Sequence, residues 1–329
     1  MLDLLKQRCE LFVQNRDLMK DNFRWDNSLM HPLCASIYSE KGLKINPDKI
    51  KLCKEIIARN TNIFSNLRSV HLLALSAMLS LEENPENKFQ NILKIYDLLK
   101  LEFHSSTYLP LSAFLINKVA DKNDYRTIIK KAKEIFSKMK KEHPFLTSGE
   151  DCGFAVILAL SDLSADESIN EMERCYNILR GKFFSANAVQ SLSHTLAMGE
   201  ESAVKKCNKA TYIFNKLKEK DCKFGTNMEL SVLGLLALAT DDTDNTIKDI
   251  IEVNDFLLSC KGFGALGIGK TQRLMYAAIL VSQEYKNQCS EYIMNMATVN
   301  SVTSIIIAQY AVTAAIIVSS VASSSAANN

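Results

Sequence analysis

Glycine and proline are scarce in this chain. Eleven glycines and five prolines among 329 residues fall well below the roughly 12% that an average globular protein carries. That shortage excludes a turn-rich β-sandwich, a collagen-like repeat and a disordered linker protein. An excess of charge is missing too, since 39 basic residues stand against 37 acidic ones for a net +2. With 47% apolar residues, so balanced a chain does not have the composition of a disordered protein. It also lacks the positive field of a general nucleic-acid binder. The start, Met1 to Glu10, mixes leucine and charge at helical spacing without the long apolar stretch of a signal peptide. A cytoplasmic location is therefore expected. The nine cysteines are odd in number and form no C-x-x-C pair. They read as reduced, mostly buried thiols and not as a disulfide framework.

What the sequence does contain is a repeat. The segment from Ile157 to Asp162 matches that from Leu235 to Thr240, 78 residues downstream. A phenylalanine then recurs at Phe23, Phe64, Phe103, Phe145, Phe184, Phe224 and Phe263, at intervals of 39 to 42. One unit can be read directly. Leu111 to Ala120 is a short apolar helix, and Asp121 to Asp124 is a polar turn. A second helix then carries Ile128, Ile129, Ala132, Ile135, Phe136 and Met139 on one face and a row of lysines on the other. The next unit follows suit, with an apolar helix ending near Asp162, a cap within Ser164 to Ser168, and a helix through Arg180. Gly181, Gly225, Gly262 and Gly264 fall where such second helices stop. The recurrent phenylalanine follows each stop and is expected to plug the junction between neighbouring units. No stretch alternates with period two, so no strand is expected.

These features predict an all-α fold, an α-solenoid or α/α superhelix of about seven two-helix repeats with a period near 40 residues. The chain reads as one domain. Residues 1–63 form an N-terminal capping unit, 64–291 the repeats, and 292–329 an uncharged capping helix with a frayed tail. Within that tail, 302–318 is largely apolar but short of the roughly 20 residues a membrane span needs. It is expected to be helical and buried, closing the open end of the solenoid or pairing with the same helix of a second copy as a homodimer. A membrane partner is not expected.

Three motifs invite chemistry. Gly264 to Thr271 satisfies G-x-x-x-x-G-K-[ST], the phosphate-cradling loop. That loop needs a preceding strand, however, and Asp255 to Cys260 reads as helix. No aspartate follows Thr271. The match is taken as a turn between two helices, with Lys270 and Arg273 on the second, and no cofactor is expected. The second motif, Asn22 to Cys34, holds the only tryptophan, Trp25, with Arg24, Asp26, Asn27, His31 and Cys34 close by. A cysteine–histidine pair oriented by Asp26 would suit nucleophilic catalysis. His31 and Cys34 nevertheless sit within one turn of a helix start that Pro32 suits and Asn27 or Ser28 would cap. The segment reads as a capping unit with a buried tryptophan. Arg24, Trp25, Asp26, Asn27 and His31 remain candidate partner-binding residues, and no catalytic residue is named. Metal binding is the third possibility, but no two of the five histidines lie within seven residues of each other, so no metal site is expected. The basic run Lys118 to Lys141 is followed by the acidic run Glu150 to Glu173, without interleaved aromatics, so nucleic acid is not expected either.

The runs Arg8 to Asp17, Trp25 to Cys34 and Gly269 to Ala278 resemble an uncharacterised bacterial family, domain of unknown function four-thousand-and-three. The resemblance covers almost the whole chain and implies a cytoplasmic bacterial helical protein. It supplies no activity or site residue. The expected function is that of a helical-repeat protein binding a protein or peptide. The alternatives are an enzyme with its site near Trp25, Asp26 and His31, or a membrane-associated adaptor using the C-terminal tail.

Overall fold

The computed structural model describes residues 2–285 apart from 105, 227, 228 and 266. Among the described residues the regular structure is helical and no strand forms; a single isolated bridge joins Arg180 and Phe183. The fold class is all-α, as composition and periodicity predict. The helices come in consecutive pairs: α1 (Asp3–Asn22) with α2 (Met30–Glu40), α3 (Pro47–Asn60) with α4 (Leu72–Leu79), and α5 (Pro85–Glu102) with α6 (Leu109–Val119). They continue as α7 (Tyr125–Glu142) with α8 (Cys152–Ala159), and α9 (Ala165–Leu179) with α10 (Ala186–Leu196). The last pairs are α11 (Ala203–Glu219) with α12 (Leu230–Ala239), and α13 (Thr243–Ser259) with α14 (Lys270–Tyr285).

The two members of a pair differ for reasons visible in their sequences. Odd-numbered helices are long and two-faced: α7 buries Tyr125, Ile129, Ala132, Ile135 and Met139, one stripe at steps of three and four, and leaves its lysines outside. Five of the seven, all but α1 and α7, start at a side-chain cap, with Asn46 and Asn84 each followed by a proline in the first turn. Ser164 forms a full capping box with Glu167. Even-numbered helices are mostly short and buried on every side. All eight residues of α8 are buried, as are ten of the eleven in α2. A helix with no solvent face must lie within another layer, so the even helices form the inside and the odd ones the outside.

Contacts between the layers follow one rule. Each odd helix packs on the even helix that follows it, odd helices touch odd helices, and even helices touch even ones. Between α8 and α10 the contact is the ring of Phe154 against His194, centroids 5.1 Å apart. The outer helices α7 and α9 run in the same direction, because their paired positions advance together: Lys131 with Ser161, Lys138 with Asp166, His143 with Glu173.

The two ends of the described chain meet. Helix α1 lies against α13 and α14, and α14 against α2. Arg8 pairs with Glu284 at 2.7 Å with both side chains largely buried, and Arg16 donates to the carbonyl of Lys261 at 2.6 Å. Phe12 packs on Phe263 and Tyr276 at 5.8 and 5.5 Å. The contacts therefore run in a circuit, and the expected open end is already occupied by α1. The segments 292–329 and 302–318, to which capping and dimerisation were assigned, lie outside the described residues.

The phenylalanine ladder is corrected in its register. Phe23, Phe103, Phe224 and Phe263 are buried, but Phe64, Phe145 and Phe184 are exposed by 88, 99 and 102%. The junction position recurs every 40 residues from Phe23, which gives Ile63, Phe103, His143, Phe183, Lys223 and Phe263. Ile63 and Lys223 are exposed, with Phe224 buried in place of the latter, but at the other positions the side chain meets the next outer helix. Phe103 packs on Phe136, His143 on Tyr176, Phe183 on Phe214, and Phe263 on Phe12. The exposed phenylalanines sit one or two residues further on and point away from the junction. Seven of the eight described free cysteines are buried, with Cys260 partly so.

Candidate functional site

The loops that lead from odd to even helices share one edge of the molecule. Parallel outer helices put them on the same side, and hydrogen bonds join them. Ser106 Oγ donates to the carbonyl of Gly149 at 3.4 Å, and Lys270 Nζ to that of Asp221 at 3.0 Å. This edge carries Trp25. Its ring is 89% exposed, so the expected buried tryptophan is not found. The reason is local. Phe23 takes the junction pocket at the end of α1, with Lys54 Nζ 5.8 Å from its ring, and the next residues turn outward.

The five candidates of this segment divide into two groups. Arg24 and Trp25 face solvent, the guanidinium carbon 5.2 Å from the indole. Asp26 is held by Lys54 at 2.5 Å and so does not orient an imidazole. Asn27 accepts from the backbone N–H of Leu29 at 3.1 Å, which shapes the entry to α2. His31 turns inward, buried, with Nε2 donating to the carbonyl of Phe23 at 3.1 Å, and burial pushes its pKa down. Cys34 is fully buried and its thiol pKa is pushed up by the loss of solvent. A thiol held protonated and out of reach is no nucleophile. The structure thus brings Arg24 and Trp25 to the surface and takes His31 and Cys34 into the core.

Trp25 is not alone. Among the described large hydrophobic side chains, those more than two-thirds exposed are Trp25, Ile63, Phe64, Leu101, Phe145 and Phe184, and all six lie at this edge. Matching by residue type could not separate these outward rings from the inward ladder one or two positions earlier. The 40-residue register separates Phe64, Phe145 and Phe184 from that ladder, although Ile63 stands on the register and is itself exposed.

The charge differs between the two edges. In the loops leading from even to odd helices, nine acidic residues, including Glu82, Asp121, Glu200 and Asp241, stand against Lys41, Lys44 and Lys122. The aromatic edge carries exposed Arg24, Arg180, Lys182, Lys220, Lys223 and Lys261 against an exposed Asp221 and the less exposed Asp26, Asp151 and Glu229. On the acidic side a groove of about 1070 Å³ opens between α9 and α11, lined by Glu167, Glu171, Glu200 and Glu201. Beside it the fully buried Lys206 holds Glu171 at 2.6 Å and the carbonyl of Gly199 at 2.7 Å.

Inside the molecule lies a pair that sequence reading missed. His194 Nδ1 is 3.6 Å from Asp151 Oδ1, both side chains being almost wholly buried. Burial lowers the pKa of His194 to about 3, so it is neutral, and neither ring nitrogen has a hydrogen-bond partner. Asp151 also accepts from the backbone N–H of Ser148 at 2.8 Å. The two residues are 43 apart, one period plus nearly one helical turn, which is the signal that could have joined them. His71 is also buried without a partner on either nitrogen, and its pKa is lowered to about 4 by burial.

The glycine-rich match follows helix α13, not a strand. The loop folds on itself, with the N–H of Ile268 donating to the carbonyl of Gly262 at 2.8 Å. Lys270 is engaged with Asp221, and the buried Arg273 donates to Asn254 and to the carbonyl of Phe263. Among the described residues no three histidine, cysteine, aspartate or glutamate side chains gather as a metal site. No described helix is long and apolar enough to cross a membrane.

These features define an all-helical protein with an exposed aromatic edge and a closed interior. The chain belongs to the family described as "Protein of unknown function (DUF4003)", which matches residues 15–311. It is 25% identical over 336 residues to the "Uncharacterized protein YeaA" of Bacillus subtilis (strain 168), covering 97% of each chain. No solved structure matches it.

Proposed function

We propose that this protein is a non-catalytic helical-repeat docking module, a ring of seven two-helix units that presents its aromatic edge to a partner. The carrying observation is the set of four rings, Trp25, Phe64, Phe145 and Phe184, held in solvent on equivalent loops. Single exposed apolar residues are ordinary, but a group gathered on one edge marks an interaction surface. The two-helix repeat is supported by the 40-residue spacing of the junction side chains and by the alternation of contacts between layers. The enzyme alternative built on Trp25, Asp26 and His31 is weakened, because Asp26 serves Lys54 and His31 serves Phe23. A cytoplasmic location fits the free, mostly buried thiols.

A photo-crosslinking amino acid placed at position 184 in the full-length protein and activated in living cells tests the reading. Adducts are expected at position 184 and not at an exposed position on the acidic edge, such as 200. Equal labelling at both positions, or none, refutes a docking edge.

A further inference from the structure

Resting on that docking reading, we infer that the aromatic edge seats on an anionic lipid surface, the rings entering the interface and the basic side chains binding headgroups. The form of the surface favours lipid. Each ring projects from its own loop at 88 to 102% exposure, so no neighbouring side chains wall it in. A peptide or a folded partner is gripped in a groove or pocket, and isolated tips offer neither. Loop tips set around one edge of a ring instead suit a flat, deformable interface that closes round each side chain. Tryptophan and phenylalanine beside lysine and arginine are the residues that such an interface attracts.

Charge supports the same partner. Arg24, Arg180, Lys182, Lys220, Lys223 and Lys261 lie exposed on the aromatic side, while the opposite edge is acidic. Complementing the helix dipoles would explain only half of this pattern. Odd helices do end at the basic edge, where cations are favoured, but even helices begin there, where acidic first turns would be favoured. None of the seven even helices has an acidic residue in its first turn, and only α8 and α12 have an acidic N-cap, Asp151 and Glu229. At the other five helix starts the edge is therefore more positive than the helix ends require. A protein of this polarity approaches a negative bilayer with its aromatic side first.

Trp25 is the only tryptophan in the chain, so its fluorescence reports on this edge alone. The full-length protein is mixed with phosphatidylcholine vesicles with or without about one-third phosphatidylglycerol. Co-sedimentation, a blue shift of Trp25 emission and quenching by brominated acyl chains are expected with the anionic vesicles only. The triple variant Phe64→Ser, Phe145→Ser, Phe184→Ser keeps the reporter and should bind at least tenfold more weakly. So should Arg180→Glu with Lys182→Glu, and so should the unaltered protein in about 0.5 M salt. Binding equal on neutral vesicles, binding without change at Trp25, or triple-variant binding equal to that of the unaltered protein overturns the inference. Failure with vesicles alongside protein adducts at position 184 overturns the lipid partner and leaves the docking edge. Failure of both overturns both.

Discussion

Replacing Phe263 should destabilise the protein far more than replacing Phe184, although both belong to the same phenylalanine series. Phe263 is fully buried, lies 5.8 Å from Phe12 and carries the Arg16 guanidinium 4.2 Å above its ring. It also sits where the first and last helices meet, so its loss opens a cavity in the closing contact. Truncating a buried phenylalanine to alanine costs about 3–5 kcal/mol. The entropy of unfolding, about 2.1 cal/mol/K per residue, sums to roughly 0.6–0.7 kcal/mol/K for a chain of this length. Phe263→Ala should therefore lower Tm by roughly 4–8 °C. Phe184 stands free in solvent, and Phe184→Ala should stay within about 0.5 kcal/mol, or about 1 °C. The cycle with Phe12→Ala should show a coupling of about 0.5–1.5 kcal/mol, beyond simple area burial. Thermal scans and urea titrations of the four proteins measure all of this. Equal destabilisation by Phe263→Ala and Phe184→Ala would refute both the corrected register and the meeting of the chain ends.

Three further outcomes follow from the interior. Burial lowers the pKa of His71 from 6.5 to about 4, so below pH 6.5 the unfolded chain takes up a proton that the folded chain refuses. Stability should be complete above that pH and fall by on the order of 3 kcal/mol as pH drops towards 4, and His71→Phe should flatten the slope of urea midpoint against pH. An unchanged slope would count against this residue. Glu171→Gln strands the buried Lys206 ammonium and should cost about 3–5 kcal/mol, whereas Lys206→Met should cost much less; the reverse order in urea titrations would contradict the pairing. A Cβ on Gly267 would sit 2.1 Å from the carbonyl oxygen of Gly262, while one on Gly264 meets nothing within 4 Å. Gly267→Ala should thus lower Tm by several degrees and Gly264→Ala should leave it unchanged, whereas a phosphate loop would depend on Gly264, the first glycine of the match.

The helices were legible because their apolar stripes and caps act locally. The Ser164–Glu167 capping box and the stripe of α7 follow from a few neighbouring residues. The period was legible as well, but its register slipped. The junction accepts phenylalanine or histidine according to what the next helix offers, and exposed phenylalanines lie one or two positions beyond it, so residue type alone does not mark the register. The meeting of α1 with α13 and α14 was not legible. It depends on small rotations summed over successive helix pairs, which no single pair encodes. Trp25 was misplaced because a lone tryptophan is ordinarily among the most buried side chains, and only its position just past a filled junction shows otherwise. The Asp151–His194 pair escaped notice because its members lie on different units and form no short motif.

Because α1 packs on α13 and α14, the described residues have no terminal helix pair from which to fray. In an open array, an end repeat comes away by breaking a single interface, and unfolding proceeds inward from there. Here every helix pair has a neighbour on both sides, so local opening anywhere must break two interfaces at once. Amide protection should accordingly be spread round the molecule and should not decline towards one end. Joining positions 245 residues apart, as Arg16 and Lys261 are, carries a loop-closure cost of about 5 kcal/mol. During synthesis that last contact waits for α14, so full cooperativity comes in one late step.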